Sequence, residues 1–199
     1  MSNLSIDAAE SQAPPLCRSY VCIAIRATAL RRRSEPGVRA LRLTWAVGVL
    51  SDRLMQYLGS WEPSGPSCLH GAQAAQFLHQ RGVERLRFVV APDLIAFEAA
   101  MVRYYRGATV LPAVAEVLDP FLIDSVDPGH RGYVLQAQEV ATTLDRRFRR
   151  AASRQGGFAD AASAAAVLRR SAQGSLQSGW PARVPSVGCP RALTGLAAG

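Results

Sequence analysis

The sequence contains no lysine, so all 23 of its basic residues are arginines in a chain of 199 residues. This absence excludes three kinds of site that depend on a lysine amine: the nucleotide-binding P-loop, the Schiff-base enzymes and the protein kinases. Asparagine is almost missing too, with Asn3 its sole representative. Lysine and asparagine have A-rich codons, so a GC-rich gene accounts for the same bias without a functional reason.

Cysteines and long apolar runs are also scarce. Four cysteines in a chain of this length are too few for a disulfide-stapled secreted scaffold. No apolar run approaches the roughly 18 residues that a transmembrane helix needs. Arg26 interrupts the apolar stretch near the N-terminus, so we expect no signal peptide. These absences together predict a soluble cytoplasmic protein.

The charge that is present is unevenly distributed. The net charge is +4 over residues 1–50, +1 over 51–90, −5 over 91–145 and +8 over 146–199, for a total of +8. An acidic middle therefore lies between two basic ends. Such ends are candidates for contact with an anionic partner, or with the acidic middle of the same chain.

The apolar spacing after residue 38 favours helices. One stripe at intervals of four and three residues consists of Leu43, Val47, Leu50, Leu54 and Tyr57. Further helices are expected over residues 67–81, 92–107, 112–118, 132–153 and 158–172, with a closing Gly156-Gly157 pair after the fourth of them. The β-rich segment 86–90 predicts a single short strand.

These patterns predict a mainly α fold: a small irregular helical bundle with at most one short strand and disordered termini. We expect residues 1–37 to form a flexible basic N-terminal arm. Residues 38–172 would form the helical domain. Residues 173–199 would be a disordered tail rich in glycine, proline and arginine.

The sequence offers little for catalysis or metal binding. Cys17 and Cys22 have an acceptable zinc spacing, but Cys68 and His70 are too close together for the usual zinc knuckle. A cluster of acidic residues has the character of solvated turns, and its members are Glu116, Asp119, Asp124 and Asp127. We therefore expect no catalytic residues, no metal, no cofactor and no enzymatic activity.

Arginine clusters are the most suggestive positive feature. One cluster surrounds the end of the helix expected over 132–153 and contains Arg146, Arg147, Arg149, Arg150 and Arg154. Guanidinium groups pair with phosphate, so this cluster is a candidate for non-specific binding to a nucleic-acid backbone. Alternatively, cations at a helix C-terminus only offset the helix dipole.

A second candidate surface is the sequence Tyr104-Tyr105-Arg106. Tyr104 continues the apolar stripe of its helix, so one of the two tyrosines must face away from the core. Tyrosine and arginine are enriched at protein interfaces, which makes these three residues candidates for binding a partner protein.

The leading functional hypothesis is a non-catalytic, cytoplasmic protein that binds other proteins as an accessory subunit of a larger assembly. In size and in leucine and arginine content the chain resembles small accessory subunits of bacterial secretion machines, although no motif carries this resemblance. The alternative is a nucleic-acid-associated protein that contacts phosphates through its arginine clusters.

Overall fold

The computed structural model describes residues 16–33, 40–114, 117–118 and 120–177. These residues include six strands: β1 (Ser19–Leu30), β2 (Leu41–Val49), β3 (Met55–Trp61), β4 (Arg85–Ala91), β5 (Thr109–Val114) and β6 (Val117–Leu118). Five α-helices accompany them: α1 (His70–Gln80), α2 (Leu94–Tyr104), α3 (Pro120–Asp124), α4 (Pro128–Gln155) and α5 (Ala161–Gln177). A 3₁₀ turn, Ser67–Leu69, leads into α1. The fold is therefore α/β, and the prediction of a mainly α bundle with at most one short strand is wrong.

The sheet is mixed, with strand order β3-β2-β1-β4-β5 and the short β6 added at the β5 edge. Strands β1, β2 and β3 form an antiparallel meander, whereas β4 pairs in parallel with β1, and β5 in parallel with β4. The carboxyl ends of β1, β4 and β5 consequently lie together along the edge of the sheet that is formed by strand ends. In open α/β sheets this edge is where ligands usually bind.

Helices cover both faces of the sheet. On one face, α1 and α2 pack through Phe77, Phe97 and Met101 against Ile23 and Ile25 of β1. On the other face, α4 and α5 contribute apolar side chains to a second buried cluster that also contains Leu43 and Trp45. Because β1 is the central strand, its alternating side chains supply both clusters.

The helix expected over residues 43–57 is a β-hairpin instead. Every residue from Leu43 to Val49 is buried, because β2 lies inside the sheet with a helical layer on each face. A strand buried on both faces gives a continuous apolar run that periodicity alone does not separate from a helix. The hairpin turn also lacks a glycine signal, since Arg53 itself takes the left-handed conformation at φ 67°.

A second error concerns the helix expected over residues 112–118. Pro112 lies in β5, opposite Ala91 of β4. Among the described residues, β6 pairs with Ala113 and Val114 and none pairs with Pro112 on that side, a position at which a sheet tolerates proline.

Other local predictions are confirmed. The strand expected over 86–90 is β4, and the helices expected over 67–81, 92–107, 132–153 and 158–172 correspond to α1, α2, α4 and α5. The expected arm and tail differ from the structure: residues 19–30 form strand β1 and not a flexible arm, and α5 continues to Gln177, past the expected start of the tail at residue 173. The remainder of the expected disordered termini, residues 1–15 and 178–199, lies outside the described residues.

Candidate anion-binding surface

The chain that leaves β1 lies along the loop that follows α4. The Phe158 amide donates a hydrogen bond to the Arg31 carbonyl at 3.0 Å, and the Arg33 amide donates to the Phe158 carbonyl at 2.8 Å. Phe158 is buried and stacks on Phe148 of α4, with 6.1 Å between the ring centroids. This aromatic contact anchors the end of β1 to the end of α4.

Glycine makes this close approach possible. Helix α4 ends at Gly156, which takes the left-handed conformation at φ 70°, as the sequence predicted. The next residue, Gly157, has φ 115°, and a Cβ atom there would lie 2.7 Å from the Arg31 carbonyl oxygen. A side chain at this position would therefore push the two segments apart.

The result is that two arginine clusters distant in sequence become neighbours. The Arg33 guanidinium donates to the carbonyl of Gln155, which is 122 positions away, and Arg32 Nε donates to the Ala159 carbonyl at 3.4 Å. We call the exposed set the arginine surface; it comprises Arg31, Arg32, Arg33, Arg149, Arg150 and Arg154. The exposed Arg146 and Arg147 extend it by one helical turn.

A buried polar chain connects this surface to the sheet. Trp45 Nε1 donates to Thr28 Oγ1 at 3.0 Å, and Thr28 Oγ1 donates to Asp145 Oδ1 at 2.6 Å. The other carboxylate oxygen, Asp145 Oδ2, accepts from Arg149 Nε in an ion pair. Asp145 is 2% exposed, whereas the Arg149 side chain is 49% exposed. The chain of contacts thus runs from the core to a solvent-facing guanidinium.

A second buried polar contact joins the same two elements. The Arg26 guanidinium of β1 donates to Gln138 Oε1 of α4, and both side chains are buried. A buried cation is tolerated only where hydrogen bonds replace its hydration. Together with the Thr28–Asp145 bond, this contact fixes the position of α4 along β1.

A cleft of about 460 Å³ opens beside the ion pair, at the carboxyl end of β1. Its lining combines apolar, polar and cationic groups from β1, α4 and the glycine pair: Ala29, Leu30, Arg31, Arg149, Ala152, Ser153, Gly156 and Gly157. Clefts of this size accommodate small-molecule ligands. Two arginines, Arg31 and Arg149, are among the residues that line it, and their positive charge favours an anion.

Asp160 is an acidic residue that interacts electrostatically with Arg32. Its carboxylate accepts a hydrogen bond from the Ser163 amide at 2.7 Å and so caps the first turn of α5. This backbone hydrogen bond, the Ser163 hydroxyl and the charge of Arg32 hold the pKa of Asp160 below its ordinary value. The negative charge of Asp160 thus stabilises the N-terminus of α5.

The second candidate surface is divided by the fold. Tyr105 is buried, its hydroxyl donates to the Ala75 carbonyl at 3.5 Å, and burial with the neighbouring Tyr104 raises its pKa. Tyr104 is 40% exposed and packs at a tilt against His79, while Arg106 is exposed. The tyrosine that completes the core is therefore Tyr105, not Tyr104 as the stripe predicted. Tyr104 and Tyr105 lie near the amino end of β5, at the opposite end of the strands from the arginine surface.

The structure does not bring the suggested metal ligands together. In the described residues no group of three or more histidine, cysteine and acidic side chains is placed to hold a metal ion. Cys17 and Cys22 are buried, burial raises the pKa of the Cys22 thiol, and Cys68 is exposed. Asp124 pairs with Arg131 at 3.2 Å and Asp127 with His130 at 2.7 Å. Glu116 and Asp119 lie outside the described residues.

The buried polar chain was missed by sequence reasoning. Asp145 sits between Leu144 and Phe148 in the apolar stripe of α4, and Arg26 interrupts the apolar run of β1. A charged residue within an apolar stripe is the signal by which these buried partners could have been found.

No helix in the described part of the chain combines the length and apolar character needed to cross a membrane. No protein-family model matches this chain, and the search of curated proteins found no match.

Proposed function

We propose that this protein binds nucleic acid through the phosphate backbone, using the arginine surface. The observation that supports this proposal is the convergence of Arg31, Arg32 and Arg33 with the arginines at the end of α4. Either cluster alone has a local explanation, such as a helix-dipole effect or a basic loop. Their meeting beside the carboxyl end of β1 brings the two sets of positive charges into one region of the protein.

The chemistry of arginine suits this role. A guanidinium is planar, stays charged at physiological pH and presents several donors that match phosphate oxygens. Phosphate contacts position a nucleic acid but carry no sequence information. We therefore expect similar affinities for unrelated sequences.

A protein partner is the second candidate, and exposed side chains of α2 support it: Ile95 and Val102 lie on one face of the helix, and Tyr104 lies at its end. Ile95 is 89% exposed, Val102 46% and Tyr104 40%. Apolar and aromatic side chains of this kind are enriched in protein interfaces. Three expectations from the sequence stay predictions: an accessory role in an assembly such as a bacterial secretion apparatus, a cytoplasmic location and the lack of enzymatic activity.

Fluorescence anisotropy tests the nucleic-acid proposal. Labelled single- and double-stranded DNA and RNA oligonucleotides are titrated with the protein across a salt series. We expect binding whose log affinity falls linearly with log salt, with a slope steeper than about −3, because several counterions are released. A lack of binding at physiological salt, or an affinity independent of salt, would contradict the proposal and leave the α2 face as the surface to examine.

A further inference from the structure

We infer that the cleft beside Arg149 holds one phosphate group of the bound nucleic acid, and that Arg149 is its principal ligand. This inference rests on the proposed function and adds a specific phosphate-binding site to a surface that otherwise acts through its total charge. The argument depends on how Arg149 is held and on what surrounds it.

A buried carboxylate orients Arg149. Asp145 accepts from Arg149 Nε and is itself held by the Thr28 hydroxyl, which in turn accepts from Trp45. An exposed arginine normally loses rotamer freedom when it binds a ligand. Arg149 has already lost part of that freedom, so an anion at the cleft meets an oriented guanidinium.

The other residues that line the cleft complete this phosphate-binding site. Arg31 lies at the end of β1, and the Gly157 backbone packs directly against its carbonyl. The volume of about 460 Å³ exceeds that of a phosphate alone, so part of the adjoining sugar also has room. Ala29, Leu30 and Ala152 offer that sugar an apolar wall. A phosphate ester therefore fits the lining better than a simple inorganic anion.

The test uses substitutions that conserve charge. Arg149→Lys keeps the positive charge but removes the planar fork, and Arg150→Lys makes the same change one position along the exposed end of α4. With a labelled single-stranded oligonucleotide, we expect Arg149→Lys to weaken binding about tenfold, and to weaken it about fivefold more than Arg150→Lys does, because Arg150 acts through a charge that lysine keeps. Equal effects of the two substitutions would overturn the inference while leaving the proposed function intact.

A second pair of variants keeps the test valid if a variant of the first pair does not fold. Arg31→Lys alters the opposite wall of the cleft, and Arg32→Lys is its control on the same segment. Arg31→Lys is expected to weaken binding several-fold more than Arg32→Lys. Circular dichroism melting of each variant identifies any that has lost its fold. If all folded variants bind the oligonucleotide like the wild type, the cleft is not the phosphate-binding site.

The source of the phosphate is decided by the same oligonucleotide with and without a 5′-phosphate. If the wild type prefers the 5′-phosphorylated form and Arg149→Lys loses that preference, the cleft takes a terminal phosphate. If there is no preference but the Arg149→Lys loss persists, it takes an internal phosphodiester.

Should the wild type bind no oligonucleotide, the proposed function fails separately. The cleft is then tested with a 5′-mononucleotide by phosphorus NMR. Line broadening that Arg149→Lys abolishes would support a phosphate site, and its absence in the wild type would overturn it.

Discussion

The two faces of the sheet are built differently although β1 contributes to both. On the face covered by α1 and α2, the side chains of β1 that reach the buried cluster are Tyr20, Ile23 and Ile25. On the face covered by α4 and α5, the apolar Cys22 and Ala24 are followed by the buried Arg26 and Thr28. One face is thus held mainly by apolar packing, and the other adds specific polar bonds towards the carboxyl end of β1.

This difference assigns separate roles to the two faces. Apolar packing is non-directional, so the α1–α2 face contributes mainly to stability. Hydrogen-bonded and ionic contacts have defined geometry, so the α4 face places Arg149 at a set position beside the cleft. The arginine surface lies at the end of the face that carries these polar bonds.

The largest expected effect comes from breaking the apolar face. Phe77 is buried in α1 and stacks on Trp61, with 4.4 Å between the ring centroids. Phe77→Ala should lower the free energy of unfolding by about 3–5 kcal/mol, because the lost burial leaves a cavity. Urea unfolding measures this loss. A loss below about 1 kcal/mol would mean that this face does not hold the fold.

A threonine pair compares the two faces directly. Thr28→Val removes the hydroxyl between Trp45 and Asp145, so it should cost about 1–3 kcal/mol by leaving buried polar groups without that partner. Thr44 is also buried and pairs with Ala27, on the opposite face of the sheet. Thr44→Val should cost less, and urea unfolding of both variants measures the difference. Equal losses would remove the distinction between the faces.

The cap of α5 gives a pH-dependent effect on the α4–α5 face. Because the pKa of Asp160 is lowered in the folded state, its charge stabilises the fold above the ordinary aspartate pKa. That contribution is lost as the pH falls through the lowered value. Asp160→Ala should therefore lower the urea midpoint at pH 7, and the difference from wild type should shrink below about pH 4. A difference that persists unchanged at acidic pH would show that the charge is not responsible.

The smallest effect on stability is expected at Tyr104. Because this side chain is 40% exposed at the end of α2, Tyr104→Ala should change the free energy of unfolding by about 0.5 kcal/mol or less. Tyr105→Ala is the contrasting variant, since it empties a buried position and should destabilise strongly. If Tyr104→Ala also leaves nucleic-acid binding unchanged, the two edges of the sheet act independently. Weaker oligonucleotide binding by this variant would join the α2 end to the arginine surface.

Helix ends were predictable from the sequence because their signals are local. Asp93 caps α2 through the Ala96 amide, and Gly156 ends α4 in the left-handed conformation. The strands were harder, since Leu43 to Val49 are buried on both sides by elements that are distant in sequence. A one-dimensional apolar pattern does not contain that information.

The candidate site shows the same division. The arginines at the end of α4 were recognisable because they lie within nine residues of one another in sequence. Their meeting with Arg31, Arg32 and Arg33 depends on the place of β1 at the centre of the sheet. The orientation of Arg149 by Asp145, Thr28 and Trp45 also combines three separate elements. Only the folded chain brings these groups together.

The most direct test of a single arginine surface is the salt dependence of oligonucleotide binding in three matched variants, each lacking three positive charges. One replaces Arg31, Arg32 and Arg33 by glutamine, the second replaces Arg149, Arg150 and Arg154, and the control replaces the exposed Arg85, Arg87 and Arg106 near the opposite edge of the sheet. We predict that the first two each reduce the slope of log affinity against log salt by about 2, while the control leaves it unchanged. An equal reduction in all three would mean that net charge, and not this surface, governs binding.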